Sequence, residues 1–274
     1  MEKLATIILN RNLPLVTNTL YNSIKKYNKN YTDIFVVEAG SKKKNLSKIS
    51  TWHANWPKAR KEGLRYGRGA NYALSNLYKE DKFKNYKGFI ITTNDIFFEK
   101  KPFVKKILKI FKSHPRLGIL SMSSSKWGEN QLLKKHKTKY FWHIDKKVFV
   151  FRREFIEDIM NLSSPGHLNF LLDGKNFRGY GTESEIIAKA YLNGWAAGIT
   201  SEVKAENISN FYKKYENKIV TENADIYNKK IIQEGFNWMK NKYGFKSKWA
   251  ITLYVKNLYE NFFIQNPEFI DYKL

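Results

Sequence analysis

The stretch Lys87-Gly-Phe-Ile-Ile-Thr-Thr-Asn-Asp-Ile-Phe-Phe-Glu99 decides how the chain is read. Phe89 to Thr92 is a short apolar, β-branched run, the composition of a buried strand. It stops on Thr93, Asn94 and Asp95. An acidic residue at the carboxyl end of a buried strand stands where open α/β sheets bind their ligands. Asp95 is also one of only 25 Asp and Glu residues in a chain with 49 Lys and Arg. Two roles compete for it: ligation of a metal ion on a phosphate, or capping of the turn before Pro102, a common duty of Asp.

Upstream, Leu4 to Leu9 reads as a first buried strand, and Pro14 suits a helix start. Apolar spacing predicts a helix over 14–27, and Asp33 to Val37 a second strand ending in Glu38-Ala-Gly-Ser41. Strand, helix and strand with short connections are the signature of a parallel sheet. Residues 42–62 read as basic and irregular. Gly63 to Asn71 reads as a Gly-rich basic loop leading into a helix over 70–79. Downstream, helices are expected over 102–113, 153–160 and 183–192, the last closed by Asn193-Gly194. Strands are expected over 117–122, 147–151 and 195–200, with loops over 123–143 and 161–181. From Thr221 onward the chain reads as helical, with a break near Tyr243-Gly244.

The 274 residues suffice for one large domain, or one domain with an appendage. The net charge of +24 predicts attraction to polyanions: nucleic acid, anionic membrane, or phosphorylated substrates. Lys and Asn are abundant throughout rather than in one block, as an AT-rich genome would also produce. The absence of cysteine excludes disulfides, Cys-ligated zinc, iron–sulfur clusters and Cys nucleophiles. The first residues lack a signal-peptide pattern, and no run reaches transmembrane length, so a cytoplasmic protein is expected.

Three strand-end segments converge on one edge of a parallel sheet: Glu38–Ser41, Arg65–Asn71 and Thr93–Asp95. They offer a carboxylate for a base or ribose (Glu38), cations and glycines for phosphates (Arg65, Arg68, Gly67, Gly69), and a hard-cation ligand (Asp95). Mg²⁺ and Mn²⁺ favour carboxylates plus substrate phosphates, so one aspartate can suffice.

In order and spacing, these segments resemble the motifs of GT-A glycosyltransferases of the family 2 type. The matching residues are Val36-Val-Glu-Ala-Gly-Ser41, Gly67-Arg-Gly-Ala-Asn71, Thr93-Asn-Asp95, and Thr182-Glu-Ser-Glu185 opening a helix that ends at Gly194-Trp195. The resemblance covers residues 4–200. It implies a Rossmann-like, mostly parallel α/β sheet flanked by helices over 1–206, and a helical C-terminal extension over 207–274. It further implies inverting sugar transfer from a UDP-, GDP- or dTDP-sugar to a glycan or lipid-linked glycan, in cell-surface polysaccharide synthesis. On it, Glu38, Gly40, Ser41, Arg65, Arg68, Asn71 and Asn94 would bind the donor, and Asp95 would hold Mg²⁺ or Mn²⁺. Glu183 would be the general base and Glu185 the second acid of its motif. Trp127, Trp142 and His143 would lie in the loop where acceptors bind. The chain departs from the pattern at Thr93, where the first acid of the metal motif stands, and in carrying Glu at positions 38 and 183.

Two alternatives stand beside this one. A sugar-nucleotidyltransferase would show a Gly-rich loop after the first strand, where Asn10-Arg-Asn-Leu-Pro14 has none. A nucleic-acid-binding protein fits the charge but shows no recognisable motif, so no nucleic-acid partner is expected. The interleaved Lys and aromatic residues beyond 207 suit peripheral contact with an anionic membrane, or packing on the core or on another subunit.

Overall fold

The computed structural model describes residues 2–125, 128–133, 136–144 and 148–274, so Trp127 lies outside the described residues. In chain order the first half comprises β1 (Leu4–Asn10), α1 (Pro14–Asn28), β2 (Thr32–Glu38), β3 (Trp52–His53), α2 (Pro57–Glu62), α3 (Arg65–Lys79), β4 (Gly88–Thr93), β5 (Ile96–Phe98) and α4 (Phe103–Ser113). The second half comprises β6 (Leu117–Ser123), α5 (Gly128–Leu133), β7 (Thr138–Tyr140), β8 (Val148–Arg152), α6 (Arg153–Ile159), α7 (Thr182–Leu192), β9 (Ala196–Asn207), α8 (Phe211–Ile219), α9 (Ala224–Tyr243) and α10 (Lys248–Gln265).

The strands form one sheet in the order β3-β2-β1-β4-β8-β6-β9-β5, with β7 also on β9. β1 pairs in parallel with both β2 and β4, so Asn10 faces Glu38, and Leu9 lies level with Thr93. This register brings three carboxyl-terminal strand ends together. β1 is buried at all seven positions, which explains its unbroken apolar run: a central strand covered on both faces has no polar side to show. β8 enters antiparallel between β4 and β6.

The helices obey the same logic. α1 starts on Pro14 and buries Thr17, Leu20, Ile24 and Asn28, three or four residues apart. The Asn28 side chain then accepts from the Val104 backbone N–H at 2.9 Å, satisfying an orphan donor in the first turn of α4.

Four expectations need correction. Residues 65–69 are helix, not loop: α3 begins at Arg65, and its glycines serve packing. A Cβ at Gly69 would sit 3.1 Å from both Leu9 methyl carbons, so this glycine lets the helix lie close on β1. Residues 42–62 contain β3 and α2, and residues 123–143 contain α5 and β7. β9 runs on to Asn207 and carries β5 at its far end.

The last two helices share the main core. Val255, Tyr259, Phe262 and Phe263 of α10 join the same buried cluster as the sheet residues. Tyr191 of α7 packs edge-on to Tyr259 and Phe262. Among the described residues, no helix is long and apolar enough to cross a membrane.

Candidate active site

Asn10, at the end of β1, ties the three strand ends together. Its amide donates to Glu38 Oε2 at 2.8 Å, and its Oδ1 accepts from Asn94 Nδ2 at 2.9 Å and from the Leu13 backbone at 3.2 Å. Asn94 also donates to Thr17 at 3.0 Å. Glu38 is wholly buried. Its Oε2 accepts from Ser41 at 2.5 Å, and its Oε1 from the Ser47 backbone at 2.8 Å. The structure therefore places Glu38 beneath the cavity described next, not on its wall, where it shapes the 39–47 loop. Ser41 is consumed the same way, accepting in turn from the Asn12 N–H at 2.9 Å. Gly40 sits at φ +85°, and a Cβ there would meet the Ala59 carbonyl oxygen at 1.9 Å. These three residues form a scaffold for the strand edge.

Above this scaffold lies a cavity of about 220 Å³, walled by Arg11, Arg65, Tyr66, Thr93, Asp95 and Tyr212 among others. Arg11 reaches it while capping α2, donating to the carbonyls of Ala39, Ala59 and Arg60 at 3.0–3.2 Å. Burial, and then the charge of Arg65, lower the Arg11 guanidinium from its ordinary value. The Nε–H groups of Arg11 and Arg65 are both shielded from water and lack a hydrogen-bond partner. Orphaned buried donors are rare in folded proteins. An anion in the cavity would bring compensating charge to two cations that now oppose each other.

Asp95 is half-buried on the same wall. Its Oδ1 accepts from the Thr93 hydroxyl, so the residue standing for the first motif acid orients the second. Among the described residues, no three His, Asp or Glu side chains cluster in a way that could cage a metal. Asp95 and Glu62 are the two carboxylates on the cavity wall, and Asp95, at the strand end, fits a hard cation that completes its shell with water and a diphosphate.

α8 closes the cavity from the far side, through Phe211, Tyr212 and Ile219. It is moored at its end by Asn12, whose amide donates to the Lys218 carbonyl at 2.9 Å. Arg65 donates to Thr221 and Glu222 just beyond, both at 2.9 Å. Glu222 also accepts from Arg178, whose side chain is only 7% exposed, at 2.5 Å. Sequence reasoning missed Arg11 and α8. Arg11 carried a signal, since it directly follows the first strand. Phe211 and Tyr212 carried none, because nothing local to them reports a cavity more than a hundred residues upstream.

The remaining expected site residues are dispersed. Arg68 donates to the Gly174 carbonyl at 2.7 Å and stacks on Phe177 at 4.4 Å, away from the Asp95 cavity. Asn71 is buried and clamps the 167–172 segment, accepting from Leu171 and Leu172 N–H and donating to the Leu172 carbonyl at 2.7 Å. Glu183 and Glu185 both lie in the first turn of α7. Two residues apart on a helix is about 200°, and the two side chains take different partners, both of them lysines of the last two helices. Glu185 faces the C-terminal helices: it pairs with Lys242 at 2.8 Å and Lys189 at 3.3 Å and accepts from Tyr243. It anchors α9 and lines a separate cavity with Phe245 and Tyr254. Glu183 is largely buried, with Lys248 of α10 at 3.3 Å. Trp142 is partly buried against Phe141, and His143 is exposed; neither borders the cavity holding Asp95.

No protein-family model matches the chain, and no curated protein matches it significantly. Solved structures do. The mannosyltransferase PcManGT from Pyrobaculum calidifontis, in complex with GDP-Man and Mn²⁺, superposes with a TM-score of 0.54 at 11% identity, over 93% of this chain and 68% of that one. S. aureus TarS 1–349 in complex with UDP gives 0.52 at 15% identity, over 89% and 72%. GalNAc-T7 with UDP, GalNAc and Mn²⁺ gives 0.51 at 10% identity, over 89% and 57%. With the sheet order and the strand-end cavity described above, these likenesses establish that the chain has the GT-A fold.

Proposed function

We propose that this chain is a glycosyltransferase of the family 2 type, moving a sugar from a nucleoside-diphosphate sugar to an acceptor hydroxyl. The observation that carries the reading is the Asp95 cavity. Arg11 and Arg65, each with an unpartnered, shielded Nε–H, border it together with the Asp95 carboxylate, at the carboxyl edge of the sheet. The structural neighbours support a nucleotide-sugar donor, since PcManGT is seen with GDP-Man and TarS with UDP.

Arg11 and Arg65 offset the charge of the diphosphate, and Asp95 would hold Mg²⁺ or Mn²⁺ against it. When bound, the ion supplies positive charge where the leaving diphosphate becomes more negative. The fixed guanidinium groups act on the same charge without reorganising. The acceptor oxygen bonds to the anomeric carbon as the bond from that carbon to the diphosphate breaks, inverting the centre. The acceptor proton would pass to Glu183, in the first turn of α7, as general base. Peripheral membrane attachment would use the outer face of α10, where Trp249 and Ile264 are 68% and 75% exposed. Liposomes with and without anionic lipid test that contact.

A thermal-shift series with UDP, GDP and dTDP, with and without Mn²⁺, tests the donor reading. One nucleotide at about 100 times its Kd should add about 2.7 kcal/mol of stability. No shift with any of them refutes it. Release of nucleoside diphosphate from a nucleotide sugar, with no pyrophosphate, separates transfer from nucleotidyl chemistry.

A further inference from the structure

A second cavity, of about 640 Å³, opens beside the first. α2 contributes Lys58 and Lys61 to its wall, and α3 contributes Arg65 and Arg68. The segment before α7 adds Lys175 and Arg178, and α9 adds Lys230. Only three carboxylates oppose these seven cations: Glu62, Glu222 and Glu234. Ten of the thirteen lining residues are charged, against 27% of the whole chain, so general basicity does not account for the concentration.

The carboxylates are mostly spent. Glu222 serves Arg65 and Arg178, and Glu234 serves Arg178 at 2.5 Å. Lys58, Lys61, Arg68 and Lys175 have no carboxylate within ion-pair distance among the described residues. Three guanidinium groups surround the Phe177 ring, with Arg68, Arg178 and Arg65 at 4.4, 5.4 and 5.5 Å from its centre. Arg65 and Arg178 are already paired with Glu222 and Glu234, so Arg68, ordered by the ring and without a carboxylate partner among the described residues, is the guanidinium best placed for a phosphate. The surplus charge is felt nearby: His167 is pushed below its ordinary value of 6.5 by burial, then by Arg68 and Lys58. Glu62, Arg65 and Thr221 line both cavities, so a ligand in the second lies next to the first.

We propose that this basic cavity holds a phosphate-bearing part of the acceptor, so that the sugar is delivered to a phosphorylated polymer or a lipid-linked phosphate rather than to a neutral glycan. The word acceptor rests on the glycosyl-transfer reading; the phosphate site itself does not.

The test uses the full chain at about 150 mM salt, where charges beyond about 8 Å are screened. A fluorescent glycerol-phosphate hexamer is titrated by anisotropy, and phosphatidylcholine vesicles with and without a polyprenyl phosphate are titrated by co-sedimentation. The variant K58Q/K175Q/K230Q changes three exposed lysines of the cavity. The control K84Q/K100Q/K112Q changes three exposed lysines that border neither cavity. The cavity variant should bind the phosphate probe roughly tenfold more weakly, and the control should change less than about twofold, since three charge contacts are removed in one case and none in the other. UDP and GDP affinities, read in the same samples, should not move. A loss confined to the hexamer or to the vesicles supports the proposal and names the phosphate source. Equal losses in both variants, no binding of either probe, or a parallel loss of nucleotide affinity overturn it. So does a DNA oligomer of equal charge that binds as well and loses as much. If no nucleotide binds while the hexamer still depends on the cavity, the phosphate site stands and only the donor reading falls.

Discussion

Acid should loosen this protein through His114. The ring is 8% exposed, at 4.4 Å from Tyr272 and 5.7 Å from Tyr140, and its Nδ1 has no hydrogen-bond partner. Arg152 donates to the His114 carbonyl at 2.8 Å, so a protonated ring would set a second cation beside a guanidinium. Burial, and then Arg152, push the imidazole from 6.5 down to about 4. Between those values the unfolded chain carries the proton and the folded chain does not, so unfolding gains as pH falls. The contribution is complete above 6.5 and is lost progressively down to about 4, worth about 3 kcal/mol in all. Urea unfolding followed by tryptophan fluorescence at about pH 7.5 and about pH 5 measures the difference, and His114→Phe removes the titrating group while keeping a ring. From the higher to the lower pH the parent should lose about 2 kcal/mol more than the variant, because other groups titrate alike in both. Losses equal to within about 0.5 kcal/mol would refute the assignment of this pH dependence to His114.

Four further outcomes are expected. Glu183→Gln should lower turnover roughly 10²- to 10⁴-fold with nucleotide affinity kept; normal turnover removes Glu183 from the proton chemistry. Asp95→Asn should abolish the extra thermal shift that Mn²⁺ adds to a nucleoside diphosphate, and an unchanged Mn²⁺ effect places the ion elsewhere. Gly40→Ala should cost at least about 3 kcal/mol in urea unfolding, since the added methyl meets a backbone carbonyl at a positive φ. Glu222→Gln leaves Arg178 only Glu234 and should cost about 2 kcal/mol, below the full penalty for a broken buried pair; an unchanged midpoint would show the network to be energetically idle.

The central strands were legible because burial on both faces writes itself into composition, as in Leu4–Leu9 and Phe89–Thr92. The start of α3 was not, because Gly67 and Gly69 look like loop residues unless one knows that Leu9 lies against the helix. Asp95 and Asn94 were found at a strand end by position alone, and the structure puts both at the cavity. Glu38 shows the limit of that logic. Residue type and location say that a carboxylate is near the edge, but not that Asn10, Ser41 and Ser47 have taken up its oxygens. Glu183 and Glu185 arrived as a pair, but the sequence could not show that each meets a different lysine of the last two helices, Lys248 and Lys242. The basic cavity was visible only as an overall charge, because its walls come from segments as far apart as Lys58 and Lys230.

The Asn10 side chain carries a consequence for any attempt to re-engineer donor choice. One amide joins Glu38 at the end of β2 to Asn94 after β4, so a shift of either one disturbs a hydrogen bond that leads to the other. On the proposed function, nucleotide binding and ion binding at Asp95 would be linked events, each changing the affinity of the other by the same factor. A substitution in the 38–41 segment would then register as altered metal affinity, and a library that varies one loop while selecting on the other would sample the two as a single trait.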